Sequence, residues 1–151
     1  ESTAISSEHF EEANRLYDVQ QHTSHIANFG VDMGVFSRSW ETHFLWHKGD
    51  LARACGKSAE TLALARQLSH PLTLAVALAY AAMLHQFRRD LQQIDALAES
   101  TIRLCREHGF PYYLAWAEVL HGWSLGARGS HEEGIAEILG PIDLVAHHRE
   151  N

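Results

Sequence analysis

Twelve histidines in 151 residues are the first candidates for chemistry. His43 and His47 stand four apart, a spacing that on a helix can bring two imidazoles to one metal ion. His22 and His25 are three apart, and His147 and His148 adjoin. Zinc takes three or four ligands with a supporting shell. The first pair has no third ligand nearby: Glu41 points round the helix, and no His-Glu-x-x-His occurs. Solvated or hydrogen-bonded histidines are therefore the expectation, with no metal and no other cofactor. Cys105 has His108 three residues on, the residue types of a thiol nucleophile and its base. Both also fit the end of an amphipathic helix, and neither a third orienting group nor an oxyanion turn accompanies them. Glu132 and Glu133 could mimic a carboxylate pair, but Glu133 suits a helix cap, and Glu11-Glu12 reads as a solvated helix face. Nothing matches Gly-x-x-x-x-Gly-Lys-Ser/Thr for phosphates. The chain is expected not to be an enzyme.

Composition narrows the classes further. At 46% hydrophobic and 21% charged residues the chain has an ordinary globular composition. A formal charge of −7 argues against nucleic acid as a partner, and the one basic cluster is Arg88-Arg89. The longest apolar run, Leu72 to Leu84, is too short to span a membrane, so no membrane partner is expected. Two cysteines, Cys55 and Cys105, are too few for a disulfide framework and suit reduced thiols in a cytoplasmic protein. The start, Glu-Ser-Thr-Ala-Ile, is neither an initiator methionine nor a signal peptide, which suggests an excised piece of something longer.

The elements that must position these residues repeat every forty residues. Pro71 and Pro111 each open an apolar run, and Gly49-Asp50, Arg89-Asp90 and Gly129-Ser130 recur in the same register. So do Leu51 and Leu91, Leu62 with Ile102 and Ile142, and Leu64 with Leu104 and Leu144. A fixed period of this size marks a repeat array. Within each repeat the apolar spacing is helical: Phe36, Trp40, Phe44 and His47 recur at steps of three and four, which places Trp40 in the core. Asp32 and Asp50 read as N-caps, and Ser130 to Glu133 as a capping box. The pattern predicts three helix pairs, 33–48 with 51–68, 71–88 with 91–107, and 112–127 with 131–148. Gly140-Pro141 is expected to kink or split the last helix. A leading helix over 7–17 precedes a loop holding Gln20, Gln21, Asn28 and Gly30. The fold expected is an all-α solenoid of antiparallel helix pairs in one domain: 1–31 a leading helix and loop, 32–69, 70–108 and 109–151 three repeats, the last with a carboxy-terminal cap.

Gly49-Asp50 followed by Ala54, with Arg89-Asp90 and Ile94, and Gly129-Ser130 and Gly134, resembles the tetratricopeptide repeat in a long form. Several strings are similar to one group of such regions, at the carboxy terminus of large bacterial proteins that join a nucleotide cyclase or other signalling domain to an ATPase. They are Leu16-Tyr17-Asp18 with Gln21-His22, Gly30-Val31-Asp32-Met33-Gly34, Leu45-Trp46, Leu68-Ser69-His70-Pro71, His85-Gln86-Phe87-Arg88-Arg89, and Gly122-Trp123-Ser124 leading to Glu133-Gly134-Ile135. Val31 and Met33 depart from the expected His and Pro, and Thr42 from alanine. The resemblance implies a role without a reaction, since cyclase and ATPase chemistry would lie in other domains.

The resemblance also implies a concave groove lined by the first helix of each pair. Its positions here are Ser39, His43, Trp46 and His47 in the first repeat, Ala79, Met83 and Gln86 in the second, and Trp116, Val119 and Trp123 in the third. Aromatics and a methionine suit a peptide, because large side chains with few rotors anchor well. The function expected is a non-catalytic interaction module for a protein or peptide segment, including another domain of the same parent. One alternative is a dimerisation or spacer element with an empty groove, and another a histidine-based metal module.

Overall fold

In a computed structural model the forty-residue period is written into backbone angles. Gly49 (φ 83°), Arg89 (φ 56°) and Gly129 (φ 101°) all stand in the left-handed region. At each, the residue's N–H donates to the carbonyl three back, and the next N–H reaches five back. The pairs are Gly49 to Trp46 with Asp50 to Leu45, Arg89 to Gln86 with Asp90 to His85, and Gly129 to Gly126 with Ser130 to Leu125. This double bond is the Schellman ending, which satisfies carbonyls orphaned at a helix terminus. Ser69 (φ 54°) and Gly109 (φ 73°), again forty apart, end the alternate helices.

The structure describes residues 2–147, with side chains over 7–140. Eight α-helices follow one another among the described residues: α1 Ser2–Leu16, α2 His22–Phe29, α3 Met33–His47, α4 Leu51–Leu68, α5 Pro71–Phe87, α6 Leu91–His108, α7 Pro111–Ala127 and α8 His131–His147. Their starts are chemically set. The Asp32, Asp50 and Asp90 carboxylates accept from the N–H of Val35, Arg53 and Gln93, and Pro111 sits where its missing N–H does no harm. No described helix is long and apolar enough to cross a membrane.

Three expectations are corrected. The segment expected as a loop after the first helix carries a 3-10 turn, Val19–Gln21, and the whole of α2. The pattern hides α2 because it buries no residue. Secondly, α8 is not split at Gly140-Pro141; one missing N–H leaves the rest of its ladder to carry the chain through. Thirdly, Trp40 is half exposed (49%) and not in the core. On α3 the buried positions are Gly34, Val35, Ser39, Glu41, Thr42, His43 and Leu45, beside the stripe of Phe36, Trp40, Phe44 and His47. Small hydroxyl residues can occupy that face because their donors are satisfied locally, Ser39 Oγ by the Val35 carbonyl and Thr42 Oγ1 by that of Arg38. His147 and His148 lie outside the described side chains.

Backbone contacts divide the chain into two compact units, Glu1–Tyr80 and Ala81–Asn151, with the boundary inside α5. In the first, α3 packs along α4 across a three-residue link and α1 lies against α3. Its core joins Val35, Ala65 and Ala77 to Leu62, Leu64, Leu68 and Leu74. In the second, α7 packs on both α6 and α8. Ile94, Leu97, Ala98, Thr101 and Cys105 form the buried stripe of α6 at steps of three and four. The α7–α8 crossing is so close that a Cβ on Gly134 would stand 2.4 Å from the Gly122 carbonyl oxygen.

Candidate functional site

Each unit carries one constellation of note. In the second unit, Tyr112, Trp116, Val119 and Trp123 fall at steps of four, three and four on α7, which is one helical face. Tyr112 is 68% exposed, and Trp116, Val119 and Trp123 are half-buried. The next residue after each of these three, Ala117, Leu120 and Ser124, about 100° round the helix, is buried. The aromatic rings brace one another: Tyr112 meets Tyr113 and Trp116 edge-on at 5.0 and 6.2 Å, while Tyr113 stacks on Trp116 at 6.0 Å. Burial, then the neighbouring Tyr112, pushes the Tyr113 hydroxyl above its usual pKa, so it stays a neutral donor. Rings held in this way offer contact area with little rotamer entropy left to lose.

Of the remaining groove positions, several have no surface to offer. Ala79 is fully buried. Ser39 is buried on its own helix carbonyl. His43 is buried, and its Nε2–H donates to the Tyr80 carbonyl at 3.0 Å. That burial, partly offset by the carbonyl bond and reinforced by His47, holds its pKa below the usual imidazole value, so the ring is neutral at pH 7. Trp46, Met83 and Gln86 are half-buried and His47 is exposed. The structure thus gathers Trp116, Val119 and Trp123 into one stripe and removes Ser39, His43 and Ala79 from contact.

In the first unit the sequence reading missed the densest polar cluster. Asp32 is fully buried. Its Oδ1 accepts from the Val35 N–H at 2.9 Å. Its Oδ2 accepts from three donors: Tyr17 Oη at 3.2 Å, His22 Nδ1 at 3.0 Å and His25 Nδ1 at 3.3 Å. The Asp32 N–H donates to Thr73 Oγ1, which in turn meets His70 Nδ1 at 2.9 Å. Burial alone would raise the Asp32 pKa; the bonds from Val35, His22, His25 and Tyr17 outweigh it and hold the carboxylate below its ordinary value. The Tyr17 hydroxyl, by contrast, is pushed up to about 12 by burial and by the Asp32 charge. Its ring lies flat over Gly34, where a Cβ would come within 2.2 Å of it. A side chain at position 34 requires the Tyr17 ring to shift.

A signal was present, because the short strings that carried the resemblance converge on this point. Tyr17, His22, Asp32, Gly34 and His70 come from three separate strings. Asp32 reads as a helix cap in the sequence, and the second carboxylate oxygen carries the rest.

The arrangement holds structure and offers little reactivity. Among the described residues no three His, Cys, Asp or Glu side chains are grouped to hold a metal. Burial pushes the Cys105 thiol up to about 11, which keeps it protonated and un-nucleophilic at neutral pH, and His108 stacks on Phe110 at 5.8 Å. No family model, no curated protein and no solved structure matches the chain.

Proposed function

We propose that the chain is a non-catalytic interaction module of a cytoplasmic bacterial signalling protein, and that the Tyr112–Trp116–Val119–Trp123 face of α7 anchors a protein or peptide segment. The observation that carries this reading is the aromatic stripe itself. Four large side chains share one helical face, Tyr112 exposed and Trp116, Val119 and Trp123 half-buried, so each keeps some surface for a partner. A partner helix or extended strand meets such a face through a few aromatic anchors, and those supply most of the affinity. The tetratricopeptide resemblance supports the same role, with any cyclase or ATPase activity in other domains of the parent protein.

A second reading rests on α8, where Ile135 (57%) and Leu139 (47%) are exposed four residues apart. Self-association through that face would make the chain a dimerisation element. Light scattering separates the two. The interaction-module reading expects a monomer, unchanged by Ile135→Ser/Leu139→Ser. A wild-type dimer that Trp116→Ala/Trp123→Ala dissolves would turn the α7 stripe into a self-association surface and overturn the foreign-partner reading. A dimer dissolved by the α8 variant alone would establish the second reading instead.

A further inference from the structure

The segment from Tyr17 to Phe29 is attached to the first unit in an unusual way. Neither the 3-10 turn nor α2 buries a single residue. Leu16, Val19 and Phe29, the large apolar residues at its ends, are 64%, 43% and 62% exposed. The helix α2 turns His22, His25 and the half-buried Ile26 inward, so its inner side is mostly polar where a surface helix usually sets an apolar stripe. Both imidazoles reach the same oxygen, Asp32 Oδ2. Tyr17, at the near end of the segment, donates to that oxygen too. The hydrogen bonds that tie these thirteen residues to α3 thus converge on one carboxylate oxygen at its N-terminus.

The closed arrangement also carries a built-in opposing cost. The Arg38 guanidinium lies over the Tyr17 ring, 4.6 Å from its centroid. Its NH1 is buried there without a hydrogen-bond partner. An unsatisfied buried donor opposes the state that buries it, and swinging Tyr17 away would return Arg38 to water. Donors converging on Asp32 and the Arg38 cation over the Tyr17 face close the segment, while a stranded guanidinium nitrogen and sparse apolar burial favour its release.

We propose that residues 17–29 form a hydrogen-bonded latch that opens as a unit while the rest of the first unit stays folded, with Asp32 Oδ2 as its pin. Opening frees Tyr17, His22 and His25 together, because all three donate to the same oxygen. It leaves the Asp32 Oδ1 cap of α3 in place, since that bond to Val35 lies on the other carboxylate oxygen. The latch is therefore separable from the helix it closes on.

Hydrogen exchange read by mass spectrometry on the full chain tests this. Asp32→Asn keeps an acceptor for Val35 but presents an amide to three donors. Exchange across 19–29 is expected to rise about tenfold or more, the size of losing bonds to a charged acceptor, while α4 and α6 exchange as in the wild type. Arg38→Met, which keeps a straight stem over Tyr17 and removes the stranded nitrogen, is expected to slow exchange in the same segment. If Asp32→Asn fails to fold, a histidine pair decides. His22→Asn/His25→Asn retains a donor near each Nδ1 position, whereas His22→Ala/His25→Ala removes it. Alanine is the better helix former, so a segment held only by helix propensity would exchange more slowly in the alanine variant. A latch requires the opposite order. Unchanged exchange across 19–29, faster exchange everywhere at once, or protection greater in the alanine pair would each overturn the proposal.

Discussion

The Asp32 cluster and the α7–α8 crossing solve the same problem, holding neighbouring helical segments in register, with opposite materials. At the crossing Gly122 and Gly134 let two backbones touch, a Cβ on Gly134 would also stand 2.9 Å from the Gly126 nitrogen, and His121 Nδ1 meets the Glu137 carboxylate at 2.8 Å beside them. At Asp32 there is little apolar contact, and the register comes from five donors and acceptors meeting on one residue. The first device is sensitive above all to volume, because an added Cβ meets backbone. The second depends above all on the charge of one carboxylate. The contrast teaches that repeat units with the same turn geometry need not be joined by the same physics.

The sharpest way to break the comparison is Gly134→Ala. Its new methyl meets backbone atoms that cannot move aside, so a loss of about 3 kcal/mol is expected in urea unfolding, at the upper end of overpacking. A near-neutral result would mean that the helices slide apart freely and the crossing fixes nothing. Ala136→Gly, on the exposed side of the same helix, is the control for helix propensity alone, at about 1 kcal/mol.

Acid sharpens it from the other side. Burial comes first among the causes that hold His43 and His70 in the first unit, and His85 in the second, below the ordinary imidazole value of 6.5. The folded chain then binds fewer protons than the unfolded one. Stability from these neutral rings is full above the unfolded value and is lost as pH falls through it towards the folded ones. Asp32, whose pKa is lowered from 3.8, adds a second loss further down as pH falls through its folded value. Urea midpoints are expected to drop between about pH 7.5 and about pH 5.5. His43→Gln, which can still donate to the Tyr80 carbonyl but cannot titrate, is expected to shrink that drop. An equal drop in the variant would remove His43 from the account.

The smallest expected effect lies at the turns. Arg89 occupies the left-handed position that Gly49 and Gly129 fill in the other two pairs. Arg89→Gly is expected to stabilise by about 1 kcal/mol, since glycine has no Cβ to strain there. Thermal unfolding reads it, and a loss of stability would mean that the arginine side chain outweighs the strain.

These turns are also where the sequence was most legible. Gly-Asp, Arg-Asp and Gly-Ser at forty-residue steps mark helix ends that the Schellman bonds occupy, and the six helices from α3 to α8 fall where the spacing places them. What stayed hidden has a physical reason in each case. The helix α2 has no apolar stripe for periodicity to find, because its inward side is two imidazoles and the single Ile26. Trp40 misleads because α3 buries Ser39 and Thr42, hydroxyls that satisfy themselves on their own helix. The α7 stripe was visible in part: the resemblance implies Trp116, Val119 and Trp123, whereas Tyr112 sits one residue after the proline that opens the helix and reads as its start. The Asp32 cluster is assembled from residues up to 56 positions apart, Tyr17 and Thr73, and only the fold brings them together.

The account's central claim, that the α7 face is a binding surface, is tested most directly by affinity. A random peptide library panned on the wild-type chain, with depletion on Trp116→Ala/Trp123→Ala, yields peptides whose dissociation constants can be measured by fluorescence anisotropy on both proteins. The account predicts at least about a tenfold weaker Kd on the variant, the loss of one or two aromatic anchors, with the helical circular dichroism unchanged. Peptides that bind the wild type and the variant with the same Kd would contradict it.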